Sequence, residues 1–298
     1  MGVVNPQSHR RTVRRIPGPA VLLLFVLRPA LADSSHPADV TEPPAYVTFI
    51  LVPLRVHLLT AADAPDVDCK MTEADVGRIV AKANGVWHKA GVHFVLHSVV
   101  REAAARPGMV KAAREKGRWP PMPMYRLLRP DASRRFDGLH VYYVHALPAG
   151  MDGMHLGDDF AFVKETAEPR PGPVGGGTEP SEPSAPRVTA HELGHVLGLE
   201  HRQDRTNLMA SGTSGTLLNE AEVETARERA AKVIGAMTVA GAWKAADEAG
   251  RDGDQNKARR ILSALADIPG TGAGAAKQRL AAMGPETRPT GPATKPAS

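Results

Sequence analysis

The stretch that decides the reading is His191-Glu192-Leu193-Gly194-His195-Val196-Leu197-Gly198-Leu199-Glu200-His201. In a helix, residues four apart lie on one face, one turn above the other. His191 and His195 can therefore offer two imidazoles to one zinc ion from the same side. Glu192 stands beside the first of them, where it can reach a water at the metal without ligating it. Gly198 can take a positive φ and end the helix, which a residue with a Cβ does poorly. The chain can then turn and bring His201 back as a third ligand. Three protein ligands leave the fourth position for water, the mark of a catalytic rather than a structural zinc. His191, His195 and His201 are thus the expected metal ligands and Glu192 the expected catalytic base.

The same residues have blander readings, as a helix with surface histidines or as a metal site that does no chemistry. The intact Glu192 argues against both. The pattern is the metzincin signature, and the sequence resembles the metzincin zinc metallopeptidases, with the bacterial matrixin-like domains nearest. Asn207-Leu208-Met209-Ala210 supports the resemblance: metzincins carry a methionine turn beneath the zinc, and Met209 stands eight residues past His201. Thr216-Leu217-Leu218-Asn219-Glu220 then leads into a helix, as in those domains. The resemblance implies a zinc endopeptidase acting on protein or peptide substrates. Substrate would lie extended along an edge strand near 156–163, and residues 210–217 would wall the adjoining pocket. A peptidase devoted to one partner protein, and a non-enzymatic zinc-containing binding or scaffold protein on the same fold, are the rival readings.

Matrixins also carry structural metals, and His145, His155, Asp158 and Asp159 are the candidate remnants of a second zinc or a calcium site. Asp252, Asp254 and Asn256 open like a calcium-binding EF-hand loop. Lys257 and Ser263 stand where that loop needs Gly and Glu, so that reading fails. No Tyr follows Met209 to serve as an additional ligand. Cys69, the single cysteine, rules out an intrachain disulfide. Its neighbours do not resemble the matrixin inhibitory segment, so it reads as structural, with flanking acids raising its pKa.

Outward from this centre, apolar periodicity predicts a fold of the α/β (α+β) class, a metzincin-like twisted mixed sheet. A strand covers Tyr46 to Leu59, with Pro53 suggesting a bulge. Thr72-Glu73-Ala74-Asp75 opens a backing helix over about 72–90. Val92, Phe94 and Leu96 alternate as a second strand, a short helix falls near 109–116, and strands follow at Leu139 to Ala146 and Leu156 to Val163. The zinc helix is expected over 187–198, above a small irregular lower subdomain. Asn219 and Glu222 form a capping box for a helix reaching about Met237. Residues 243–266 and 274–283 read as polar helices. The expected divisions are a catalytic domain over 45–237, a helical extension over 238–283 and a disordered tail over 284–298. Within the first, 166–186, with six prolines and four glycines, reads as a flexible loop.

The net charge of +5 among 298 residues and the pI of 9.4 suggest a nucleic-acid binder only at first sight. Five arginines and no acid lie in residues 1–32; without them the 37 basic residues become 32, matching the 32 acidic ones. Nothing remains to attract a polyanion. Those residues place a basic stretch before the apolar run Ala20 to Leu27 and the small-residue pattern Ala30-Leu31-Ala32, as secretory signals do. The run is too short to span a bilayer. Export with cleavage after Ala32, a linker over 33–44, and a secreted or periplasmic destination without lasting membrane insertion are expected.

Overall fold

The computed structural model describes residues 48–157, 159–165, 184–270 and 272–284. The expected signal segment, the linker 33–44, nearly all of the loop 166–186, nearly all of the tail 284–298, and Asp158 lie outside them.

β1 (Ile50–Thr60) runs through the middle of the sheet; Val52, Leu54, Val56 and Leu58 make one face apolar, while the other sets Arg55 and the buried His57 between Leu51 and Leu59. α1 (Glu73–Trp87) returns the chain across one face to β2 (Val92–Ala103), parallel to β1. Thr72 caps α1 through a complete capping box with Asp75, so the shorter acid serves as Glu would. β3 (Leu139–Val144) pairs parallel with β1, and β5 (Phe160–Lys164) parallel with β3. β4 (Gly153–His155) runs antiparallel to β5 and closes the edge. The order is β2-β1-β3-β5-β4, a mixed sheet as expected.

The helix expected to carry the metal ligands is α3 (Ser184–Val196). It begins three residues earlier than the sequence suggests and takes Pro186 into its first turn, where a missing N–H costs nothing. α4 (Glu220–Ala231) starts from Asn219 with the expected capping box. It stops short of Met237: Gly235 takes φ +81° beside Pro53, and Met237 enters β6 (Met237–Thr238), antiparallel to the start of β1. The bulge expected at Pro53 is also displaced. The register between β1 and β2 shifts at Leu54/Arg55, where His97 is the extra residue on β2.

One face of the sheet packs Val52, Leu54, Val56 and Leu58 against α1, α3 and α4 through Trp87, Leu193, Val196 and Ala226. The other face carries two clusters. Tyr142, Phe160 and Phe162 meet Tyr125, Leu128 and Val110, the last on α2 (Gly108–Arg114). Phe49, Leu51 and Val95 meet α5 (Val239–Arg251), α6 (Gln255–Asp267) and α7 (Gly272–Ala282). The sequence suggested one polar helix over 243–266. The chain instead breaks at Gly253 (φ +78°), Asp254 caps α6, and Ile261, Leu262 and Leu265 turn inward. No helix among the described residues is long and apolar enough to cross a membrane.

Candidate metal centre

The last turn of α3 ends in a Schellman motif. Gly198 N–H donates to His195 O and Leu199 N–H to Gly194 O, both at 2.9 Å, with Gly198 at φ +85°. That reversal carries the chain back along the helix and sets the His201 ring beside the other two.

The three imidazoles converge through their Nε2 atoms. The separations are 3.1 Å between His191 and His195, 3.0 Å between His195 and His201, and 3.3 Å between His191 and His201. The other ring nitrogen decides what these contacts are. His191 Nδ1 donates to Leu208 O and His195 Nδ1 to Leu199 O, each at 2.8 Å. Both Nε2 atoms therefore present lone pairs, the arrangement that fixes the tautomer of metal-binding histidines. Burial favours the neutral form, pushing His191 down to about 3 and lowering His195. Lone pairs at this spacing repel unless a cation lies among them. Nitrogens held at about 2.0–2.1 Å around a tetrahedral zinc would be about 3.3–3.4 Å apart, close to what is seen. Among the described residues, these are the His, Cys, Asp and Glu side chains whose ligand atoms lie near enough together to share an ion.

Glu192 completes the fit. Its side chain is buried, and Oε2 has no hydrogen-bond partner. A carboxylate oxygen is seldom left so unless water or an ion belongs beside it. Burial raises its pKa to about 8, opposed by the Arg187 charge; a dication alongside would draw it down again. The site thus suits zinc on its donor set, its spacing and its orphaned carboxylate oxygen.

Residues outside the His-Glu motif hold this arrangement. Met209 is fully buried under α3, and a Cβ on Gly194 would come within 2.5 Å of its Sδ and 3.5 Å of Trp87. Gly194 is therefore small because the Met209 side chain presses on it, with Trp87 in ordinary contact. Trp87 Nε1 donates to Ala190 O at 3.1 Å and ties α1 to α3. Arg187 donates to the carbonyls of Leu208, Ala210 and Gly215, pinning the loop after Met209 to the zinc helix. Glu222 does more than cap α4. Its carboxylate accepts from Arg202 Nε at 2.6 Å, Asn207 Nδ2 at 2.7 Å and the Asn219 N–H at 2.9 Å. Asn207 Oδ1 in turn accepts from Met209 N–H at 2.7 Å. Only the capping-box spacing hinted at Glu222, and nothing in the sequence joins it to Arg202.

One expectation is corrected. The sheet edge is β4 at 153–155; most of 156–163 is turn and the interior strand β5. A three-residue strand has no periodicity to reveal it. The candidates for a second metal site do not converge among the described residues. His145 Nδ1 bonds Glu165 Oε1 at 2.6 Å, His155 lies against His195, and Asp159 faces His140. Cys69 is fully buried and donates to Glu165 Oε2 at 3.1 Å. Its pKa is raised as expected, but by burial and then Glu165 rather than by its acidic neighbours in sequence.

Residues 125–229 match the family described as matrixin, within the peptidases. The matched stretch takes in β3, β4, β5, α3 and most of α4, and with them all three histidines, Glu192 and Met209. No curated protein matches the chain. Among solved structures, it is similar to metalloproteinase-II from Bacteroides fragilis at 16% identity and TM-score 0.34, over 60% of this chain and 53% of that one. The chain thus spans about half the length of that protein. It is also similar to a zinc-dependent peptidase from Methanocorpusculum labreanum at 12% identity and TM-score 0.27, over 59% of this chain and 99% of the other. The three histidines that could share a metal ion and the helix that carries Glu192 all lie inside the stretch that matches this family. That stretch is similar to the matrixin family.

Proposed function

We propose that the protein is a secreted zinc metalloendopeptidase in which His191, His195 and His201 hold the metal and Glu192 is the general base. The observation that carries this reading is the convergence of three Nε2 atoms, two of them held with their lone pairs inward, with the buried, unpartnered Glu192 Oε2 on the same helix. Zinc held there supplies Lewis acidity, lowering the pKa of water towards 7 and polarising a carbonyl. Glu192 takes a proton from the attacking water through Oε2 and passes it to the leaving amine nitrogen. His191 and His195 keep their lone pairs turned inward through their bonds to Leu208 and Leu199. Met209 supports the site from beneath and Gly198 returns the chain towards His201. An extended substrate would add a strand alongside β4, with residues 210–217 walling the pocket beyond the scissile bond.

The test is Glu192→Gln in the purified chain, assayed on casein with zinc measured in parallel. The amide keeps the shape and cannot take a proton at neutral pH. Zinc should stay bound while hydrolysis is lost. Activity within a few-fold of wild type would place the base elsewhere, and a wild type that binds zinc but cuts nothing would favour the scaffold reading. Export is supported by the pattern of residues 1–32 alone. N-terminal sequencing of exported protein should find Asp33 first; an intact Met1 would point to an anchor.

A further inference from the structure

His155 was considered above only as a remnant of a second metal site, and the fold gives it another place. β4 is the outer strand of the sheet, bonded to β5 alone among the described strands. Alternation along it puts Gly153 and His155 on one face and Met154 on the other. Met154 is buried with Phe160 and Phe162. Gly153 abuts the Glu192 carboxylate so closely that a Cβ there would lie 2.5 Å from Oε1. His155, half-buried, sets its ring 6.1 Å from that of His195, nearly parallel at 18°. The wall of the cleft facing α3 therefore carries an imidazole beside a metal ligand, two residues along the strand from the contact with the base.

We propose that His155 is a further catalytic residue, donating a hydrogen bond to the oxyanion formed when water adds to the scissile carbonyl. The proposal rests on the peptidase reading above. In that step the water oxygen bonds to the carbonyl carbon, the π pair moves onto the carbonyl oxygen, and Glu192 takes the water's proton. His155 keeps its own proton and only donates. A peptide added along β4 with its scissile bond beside Glu192 lies next to Gly153, and two residues of strand cover about 6.4–6.8 Å. The His155 side chain spans that gap by leaning to the His195 side, where its ring lies. Such a donor helps because an ionised oxygen accepts far more strongly than a ground-state carbonyl, so its contribution grows in the transition state.

The test compares ligands that differ only in that oxygen. A peptide cut by the wild-type chain and its phosphinic analogue, with tetrahedral phosphorus at the scissile position, are titrated calorimetrically into zinc-loaded Glu192→Gln protein. The titrations are repeated with His155→Phe or His155→Gln added. His155→Phe keeps the stacked ring and loses the donor. It should weaken the analogue by about 100-fold, as removal of an oxyanion donor does, and the intact peptide by less than threefold. His155→Gln, which still donates, should recover most of the loss. In otherwise wild-type protein, His155→Phe should lower kcat by a similar factor with KM and zinc content unchanged. Equal weakening of both ligands, no weakening of either, or loss of zinc would overturn the assignment. A wild type that cuts peptides with a His155→Phe variant equal to it in kcat would sink this assignment alone. A zinc-loaded wild type that cuts nothing would remove the peptidase reading and this assignment with it.

Discussion

Gly153→Ala should separate stability from activity. Gly153 lies in an ordinary strand conformation, so its backbone can accept alanine. The obstacle is Glu192, whose Oε1, Cγ and Cδ would lie 2.5, 2.6 and 2.8 Å from the new Cβ. Ordinary contact needs about 3.5 Å, so the carboxylate must retreat by about 1 Å. Displacements of that size at a reacting group cost on the order of 100-fold in rate, about 2.7 kcal/mol of transition-state stabilisation. The fold should hardly notice, since alanine is no worse than glycine in an edge strand and the side chain that moves lines a cleft. We expect kcat to fall about 100-fold, with zinc content unchanged and the melting temperature within about 2 °C. Steady-state kinetics on a fluorogenic peptide, metal analysis and calorimetry measure the three. A kcat within threefold of wild type would show that Glu192 tolerates displacement, or that β4 yields instead, and would refute the idea that this glycine sets the base.

Other perturbations test the supports of the site. Glu222→Ala removes a helix cap and strands Arg202 and Asn207; a loss of about 3 kcal/mol, read as a fall of roughly 6–12 °C in Tm, should come with weaker zinc retention, and a Tm within 2 °C would refute the bracing role. Burial holds His93 down at about 3 and His140 at about 4 in the folded chain. The unfolded chain then binds more protons below about pH 6.5, so stability should fall as the pH drops, by about 2 kcal/mol per residue at pH 5; urea midpoints unchanged between pH 7 and pH 5 would contradict this. Cys69→Ser keeps a donor to Glu165 and should leave peptide hydrolysis unchanged, while the wild-type thiol should resist Ellman's reagent until the chain unfolds; activation by mercurials would mean that it reaches the metal.

The site was legible where chemistry and spacing coincide. Two histidines four apart with a glutamate beside the first state their geometry, because four residues make about one turn wherever the helix sits. Gly198 could be read for the same reason: ending the helix is a local act of its own backbone. Gly153 and Gly194 could not, since each is small on account of a side chain far away in sequence, Glu192 for one and Met209 for the other. Glu222 was legible as a cap and silent as a brace, because the cap spans three residues and the brace depends on how the loop after His201 folds back. β4 escaped because three residues show no period. The inward faces of α5 and α6 escaped because their apolar side is largely alanine, which composition alone counts as neither core nor surface.

The helices at the C-terminal end lie where a boundary drawn at residue 238 would cut. Phe49, Leu51 and Val95 belong to the strands that open the sheet, and their cover comes from Ile261, Leu262 and Leu265. The two ends of the described chain thus share one seam. A chain ended at 238, by stop codon or by protease, would carry an apolar strip on β1 and β2, and it would clump rather than work as a smaller enzyme. During synthesis the ribosome must make residues 261–265 before that strip is covered, so β1, the first strand of the sheet to emerge, waits longest for this cover.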